Sequence, residues 1–126
     1  MGHPFGCPDM VGGGELRGFL HRDLFDDELF NDELFVRWAQ CSMLYPMVQF
    51  SSAPWRVLDD LHLLAVLDAV ALRQRLLPEI LELVGHAGRT GEPALRPLAY
   101  HHAGYEQVHD QVLLGEDLLC APGPRA

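Results

Sequence analysis

Lysine is absent from this chain: all nine basic residues are arginine, set against 18 carboxylates for a net charge of −9. An acidic chain without a basic stripe lacks the electrostatic footprint of nucleic-acid binding and of attachment to anionic membrane surfaces. No apolar run approaches the roughly 18 residues that a membrane span needs. The opening "MGHPFGCPDM" has neither a basic n-region nor a long apolar h-region, so no signal peptide is expected. Cysteine is scarce and odd in number: Cys7, Cys41 and Cys120, widely separated and without a CxxC pair. Neither a zinc site nor a disulfide framework is indicated, and the three are expected to be plain buried thiols. No residue pattern points to a metal or a cofactor, and none assigns a compartment.

What remains is 126 residues, 48% of them hydrophobic, which suits one globular domain or part of one. "PFGCPDMV", residues 4–11, is too short and too rich in Pro and Gly for a helix. It reads as a short buried strand closing at Asp9 to Val11. Three glycines follow at once, Gly12 to Gly14, and then an acidic connection to residue 28. That connection leads into a small tandem repeat, "DDELF" and "NDELF", whose period of five matches neither helix nor strand. The second copy contains a helix start. Asn31 or Asp32 can cap, and Glu33 falls in the first turn, where the helix dipole favours a carboxylate.

From about Asp32 to Leu44 the apolar spacing is helical, with Leu34, Trp38 and Cys41 at i, i+4 and i+7 and Phe35 and Ala39 beside them. Glu33 and Arg37 stand four apart in the favoured acid-before-base order. In "YPMVQFSSAPW", residues 45–55, Met47, Val48 and Phe50 read as a second buried strand that Pro54 ends. Residues 57–76 are helical and apolar on more than one side, as in a helix held between two layers. Pro78 is expected to interrupt that helix. "PEILELVGHAG" then reads as a second helix or a kinked continuation, ended by Gly88 and Gly91. Beyond Pro93, "ALRPLAY" (94–100) and "QVLLGEDLLCAP" (111–122) read as strands separated by polar loops, and "GPRA" adds no closing element.

Strand, loop, helix, strand, helix is the alternation of an α/β protein with parallel strands. In a parallel barrel the chemistry sits at the C-terminal ends of the strands and in the loops that follow. Asp9 is at such an end, before glycines that allow a sharp turn close to a ligand. Two readings of Asp9 stand side by side here: a ligand-binding carboxylate, or a cap that hydrogen-bonds its own loop.

Taken together, "GHPFGCPDMVGG", "ELFVRWAQCSMLYPMVQFSSAPWR" and "LLGEDLLCAP" resemble, in order and over nearly the whole chain, the late part of a family 31 glycoside hydrolase. The resemblance implies the last strand–helix units of a (β/α)8 TIM barrel in residues 1–91 and the start of a C-terminal β-sandwich domain in residues 92–126. Since a whole barrel takes roughly 250 residues, the fold so implied is incomplete. The family's members are retaining enzymes with one Asp as nucleophile and a second as acid/base. The resemblance places both in earlier strands, so no catalytic residue is assigned here.

By the same resemblance Asp9 matches an Asp that hydrogen-bonds sugar hydroxyls in the −1 subsite. Ser51 stands where the α-glucosidases carry a sugar-contacting His, and a hydroxyl supplies neither its reach nor its charge. The wording leans to an α-galactosidase-like branch. Gln49 and Trp55 lie nearby and can line the pocket, although core packing serves Trp55 equally well. His101, His102 and His109 read as surface residues. The implied function is a piece of a retaining α-glycoside hydrolase acting on carbohydrate, α-galactosidase- or α-glucosidase-like. The alternative is a non-catalytic acidic helical interaction protein derived from such an enzyme.

Overall fold

A computed structural model of the chain describes residues 5–13 and 31–121. Gly14, the acidic connection and the first copy of the tandem repeat lie outside the described residues. The chain divides into two compact units. One holds the described residues of Cys7–Met43 and Met47–Arg75, the other those of Met1–Gly6, Leu44–Pro46 and Leu76–Ala126.

In the first unit, helix α1 spans Asp32–Ser42. It begins where local chemistry dictates. The Asn31 side chain accepts the Leu34 backbone N–H at 2.9 Å, Asp32 and Glu33 occupy the first turn, and Arg37 reaches back to Glu33 at 2.8 Å. Its buried residues are Phe35, Val36, Ala39 and Ser42. The apolar face is thus turned by about one residue from the one centred on Leu34 and Cys41. Leu34 is 63% exposed and Cys41 is exposed. Burying Phe35 places the helix's larger apolar surface inside, against Val11, Val57 and Val66, while Trp38 still packs on the edge of that cluster.

Val11 and Phe50 pair as a parallel bridge, with α1 between them in sequence. This is the parallel strand–helix–strand order expected for an α/β chain. The pairing is short: Val11 takes the only bridge position among the described residues before α1, and Met47 is exposed rather than buried in a strand. Pro54 does not merely end an extended segment; it occupies the first position of a short helix α2, Pro54–Val57, where its missing N–H costs nothing.

Helix α3 runs Asp60–Thr90 without a break at Pro78. Pro78 and Gln74, whose carbonyl loses its partner to the proline ring, are both exposed. Water can therefore satisfy that carbonyl, and strong helix formers on either side carry the helix through. Gly88 lies inside α3, not at its end. The stop is Gly91, at φ 80°, whose N–H reaches the Ala87 carbonyl at 2.9 Å. The first half of α3 belongs to the first unit and buries Val66 and Ala69; the second half belongs to the other and buries Ile80 and Ala87.

The second unit also carries a three-stranded antiparallel sheet in the order β1-β2-β3: Leu95–Pro97, Val112–Leu114 and Leu118–Cys120. Leu95 faces Leu114 across the first pair, and Leu113 faces Leu119 across the second. Residues 111–122 are therefore a hairpin rather than one strand. Gly115, at φ 68°, opens the turn, and its N–H bonds the Ala94 carbonyl at 2.8 Å. "ALRPLAY" likewise divides into β1 and a 3-10 turn, Leu98–Tyr100.

Arg96 anchors this corner at 2% exposure. Its Nε donates to the Pro93 carbonyl at 2.8 Å and its Nη1 to His101 Nε2 at 2.7 Å. Glu92 at 3.3 Å and Glu116 at 3.4 Å balance the charge. His101, His102 and His109 are exposed, as expected.

Candidate functional site

The candidate site grows from the Val11–Phe50 bridge. Val11 donates its N–H to the Gln49 carbonyl at 3.0 Å, and its own carbonyl accepts the Ser51 N–H at 2.9 Å. These two bonds seat Gln49 and Ser51 on either side of Phe50 alongside the segment that carries Asp9, two residues before Val11. Gln49, Ser51 and Asp9 are all exposed. Asp9 lies two residues before the bridge on its segment, and Ser51 one residue after it on the other. Trp55 is the second residue of α2 and is 72% exposed, so core packing is not its role.

The Asp9 carboxylate accepts the N–H of Met10 at 2.8 Å, leaving one oxygen for another donor. Directly after it the chain closes a turn, with the Gly13 N–H on the Met10 carbonyl at 2.8 Å. Gly12 sits in the left-handed region at φ 71°. A Cβ there would collide with the Phe35 ring, and one on Gly13 would meet the Met10 carbonyl oxygen at 2.9 Å. The glycines allow the sharp turn, as expected, and the group that Gly12 closely approaches is the Phe35 ring of α1. That ring also stacks on Phe50, with centroids 6.2 Å apart. One aromatic side chain thus touches both segments that carry the candidate residues.

Three features escaped sequence reasoning. Arg73 on α3 donates to the Met43 carbonyl at 2.7 Å, fastening the end of α1, and burial pulls its guanidinium below the usual arginine value. The only signal was a pair of cations, Arg73 and Arg75, in a largely apolar stretch, and nothing in the pattern tells which of the two turns inward. Asp32, Asp59 and His62 converge from two helix starts, and nothing in their spacing announces it. The cysteines are not uniformly buried: Cys7 and Cys41 are exposed and Cys120 is half-buried. Cys41 lies on the solvent-facing side of α1 rather than on its apolar face. All three are free thiols.

An acidic α/β chain with a parallel bridge and a carboxylate–glycine turn beside it has relatives among the glycosidases. Over most of its length the chain is similar to segments of proteins named as glycosidases. In particular, myogenesis-regulating glycosidase of Mus musculus is 38% identical across 97% of this chain. The SITS-binding protein of Tetronarce californica is 28% identical across 97%. A probable alpha-glucosidase of Oryza sativa subsp. japonica is 34% identical across 72%. The chain spans 17% of the length of each of the first two relatives and 11% of the third. No protein-family model matches the chain. No helix among the described residues is long and apolar enough to cross a membrane.

Proposed function

We propose that this chain supplies part of the sugar-binding face of a retaining α-glycoside hydrolase of family 31, α-galactosidase-like in preference to α-glucosidase-like. Residues 1–91 would belong to the end of its barrel and residues 92–126 to the start of the β-sandwich. The observation that carries this reading is the parallel Val11–Phe50 bridge. It supports the reading because the backbone just after Asp9 hydrogen-bonds Gln49 and Ser51, and a parallel barrel keeps its ligand contacts at the ends of adjacent strands. Asp9 offers a carboxylate oxygen to sugar hydroxyls, Ser51 and Gln49 add neutral hydrogen-bonding groups, and exposed Trp55 offers a face for ring stacking. The nucleophile and the acid/base that cleave the glycosidic bond are contributed by chain outside this segment. The preference for galactoside rests on the wording of "PDMVGG" and "QFSSAPWR" and on Ser51, which by the resemblance stands where the family's α-glucosidases carry His.

The test is direct. Add p-nitrophenyl α-galactoside, and separately the α-glucoside, to the isotopically labelled chain, and follow the Trp55 indole and the Ser51 and Met10 amides by NMR. Saturable shifts with the galactoside, weaker with the glucoside and abolished by Asp9→Asn, are expected. Spectra unmoved by either sugar at millimolar concentration would reject the assignment of these residues.

A second reading has its own observation. Leu61, Leu64, Leu67 and Leu72 of α3 are exposed, as on a helical surface made for a protein partner. Substituting Leu64 by Gln separates the two readings: it should leave sugar-induced shifts intact while removing any partner binding.

A further inference from the structure

Outside the sugar-binding residues, one cluster brings together side chains of the types that hold metals. Asp32 opens α1, Asp59 immediately precedes α3 and His62 lies in the first turn of α3; one ligand atom from each falls within 4.8 Å of the others. His62 Nδ1 lies 2.9 Å from Asp59 Oδ1 and 3.8 Å from Asp32 Oδ2. Asp32 and His62 are largely shielded, with side chains 20% and 28% exposed. We propose that these three side chains form a binding site for a first-row divalent ion of the zinc class.

An ion bonded at about 2.0–2.2 Å to nitrogen and carboxylate oxygen holds neighbouring donors about 3–3.5 Å apart. The two separations from His62, 2.9 and 3.8 Å, straddle that range, and the two carboxylates lie within 4.8 Å of each other, so side-chain rotation of the exposed Asp59 draws the three donors to that spacing. Two helix starts face the cluster, and each contributes roughly half a positive charge. Two carboxylates more than cancel them, and Asp60 and Glu33 stand next in the chain with the same sign.

Asp59 Oδ1 is held in place by the His62 backbone N–H, which it accepts at 2.9 Å. An imidazole nitrogen among three protein donors favours zinc-class ions over calcium or magnesium, which prefer more oxygen ligands or retained waters. In the ion-free chain His62 Nδ1–H can donate to Asp59. On binding, Nδ1 gives its lone pair to the ion, the imidazole proton resides on Nε2, and water completes the tetrahedron.

The experiment is calorimetric titration of the chain with Zn2+ at neutral pH, paired with Co2+ absorption and with melting curves in the presence and absence of Zn2+. Asp32→Asn, Asp59→Asn and His62→Gln preserve shape, and Asn at position 59 retains the helix cap. The expected result is one equivalent of Zn2+, tetrahedral Co2+ bands and a raised melting temperature. Each variant should weaken Zn2+ roughly 10-fold or more. A His102→Ala/His109→Ala double variant, which removes two exposed imidazoles elsewhere, should bind Zn2+ as the parent does. The proposal is overturned by the absence of saturable Zn2+ binding. It is equally overturned by binding that survives in Asp59→Asn and His62→Gln but is lost in the double variant. Should His62→Gln fail to fold, Asp32→Asn and Asp59→Asn decide the matter in the same way.

Discussion

The Phe35 ring occupies the space that a side chain on Gly12 would need. Gly12 lies in the left-handed region immediately after the Asp9 turn, and Phe35 is 3% exposed inside the core cluster. Gly12→Ala therefore suffers twice, from backbone strain and from collision. We expect a loss of about 2–4 kcal/mol in chemical denaturation. Gly91 separates the two contributions: it too has positive φ, but nothing lies near its absent Cβ. Gly91→Ala should cost only about 1 kcal/mol. Adding Phe35→Leu to Gly12→Ala should recover part of the larger loss, and strict additivity of the two changes would show that the ring is not what Gly12 avoids.

Asp9 poses a question that kinetics and stability answer jointly. In a complete glycosidase carrying this segment, Asp9→Asn keeps the acceptor for the Met10 N–H but removes the charge offered to sugar. If Asp9 grips a hydroxyl whose hydrogen bond strengthens towards the oxocarbenium-like transition state, kcat/KM should fall roughly 10²-fold, on the order of 3 kcal/mol. The melting temperature should hardly move, because the residue is exposed. A mutant that is fully active yet less stable would assign Asp9 to its turn alone.

Acid should loosen the Arg96 corner. Glu92 sits below its ordinary value of 4.5, chiefly through its hydrogen bond to His86, with Arg96 adding attraction. Because the folded-state value is depressed, the stabilisation is complete above the ordinary carboxylate range and is lost as pH falls through the lowered value. Melting temperatures recorded from neutral pH down to below 4.5 should therefore fall less steeply for Glu92→Gln than for the parent. Parallel curves would remove Glu92 from the acid response.

The three thiols should fall into two classes towards a disulfide reagent. Cys7 and Cys41 are exposed and should react quickly in the folded chain. Cys120 is half-buried, and burial raises its thiol above the ordinary value, so less thiolate is present at neutral pH and its reaction should lag. A single fast phase for all three thiols would contradict the packing of β3.

Sequence reasoning reached the features that are written locally. Asn31, Glu33 and Arg37 declare the start of α1 within seven residues, and the structure repeats each contact. The alternation of extended and helical segments pointed to the parallel order at Val11 and Phe50, where a single bridge stands in place of two buried strands. The face of α1 was less legible. Leu34 and Phe35 are both apolar, and only the neighbours supplied by Val11 and Phe50 decide which turns inward. Pro78 misled because its cost depends on whether the orphaned carbonyl meets water, and a linear pattern does not carry that information. The hairpin at Gly115 hid inside "LLGEDLL", where apolar residues on both sides of a turn imitate one strand. Asp32 and His62 meet only through tertiary packing, so no spacing rule reaches them.

The buried guanidinium of Arg96 has a consequence for anyone who digests this protein. Trypsin finds no lysine to cut after, and at Arg96 it meets a side chain held at all three nitrogens and followed by Pro97, a bond it does not cleave even in the unfolded chain. The arginines on either side are Arg89 and Arg125. The whole sheet, with its histidine-bearing loop, therefore leaves a complete digest as one long peptide from Thr90 to Arg125. A second protease is needed before modifications at His101, His109 or Cys120 can be told apart by mass.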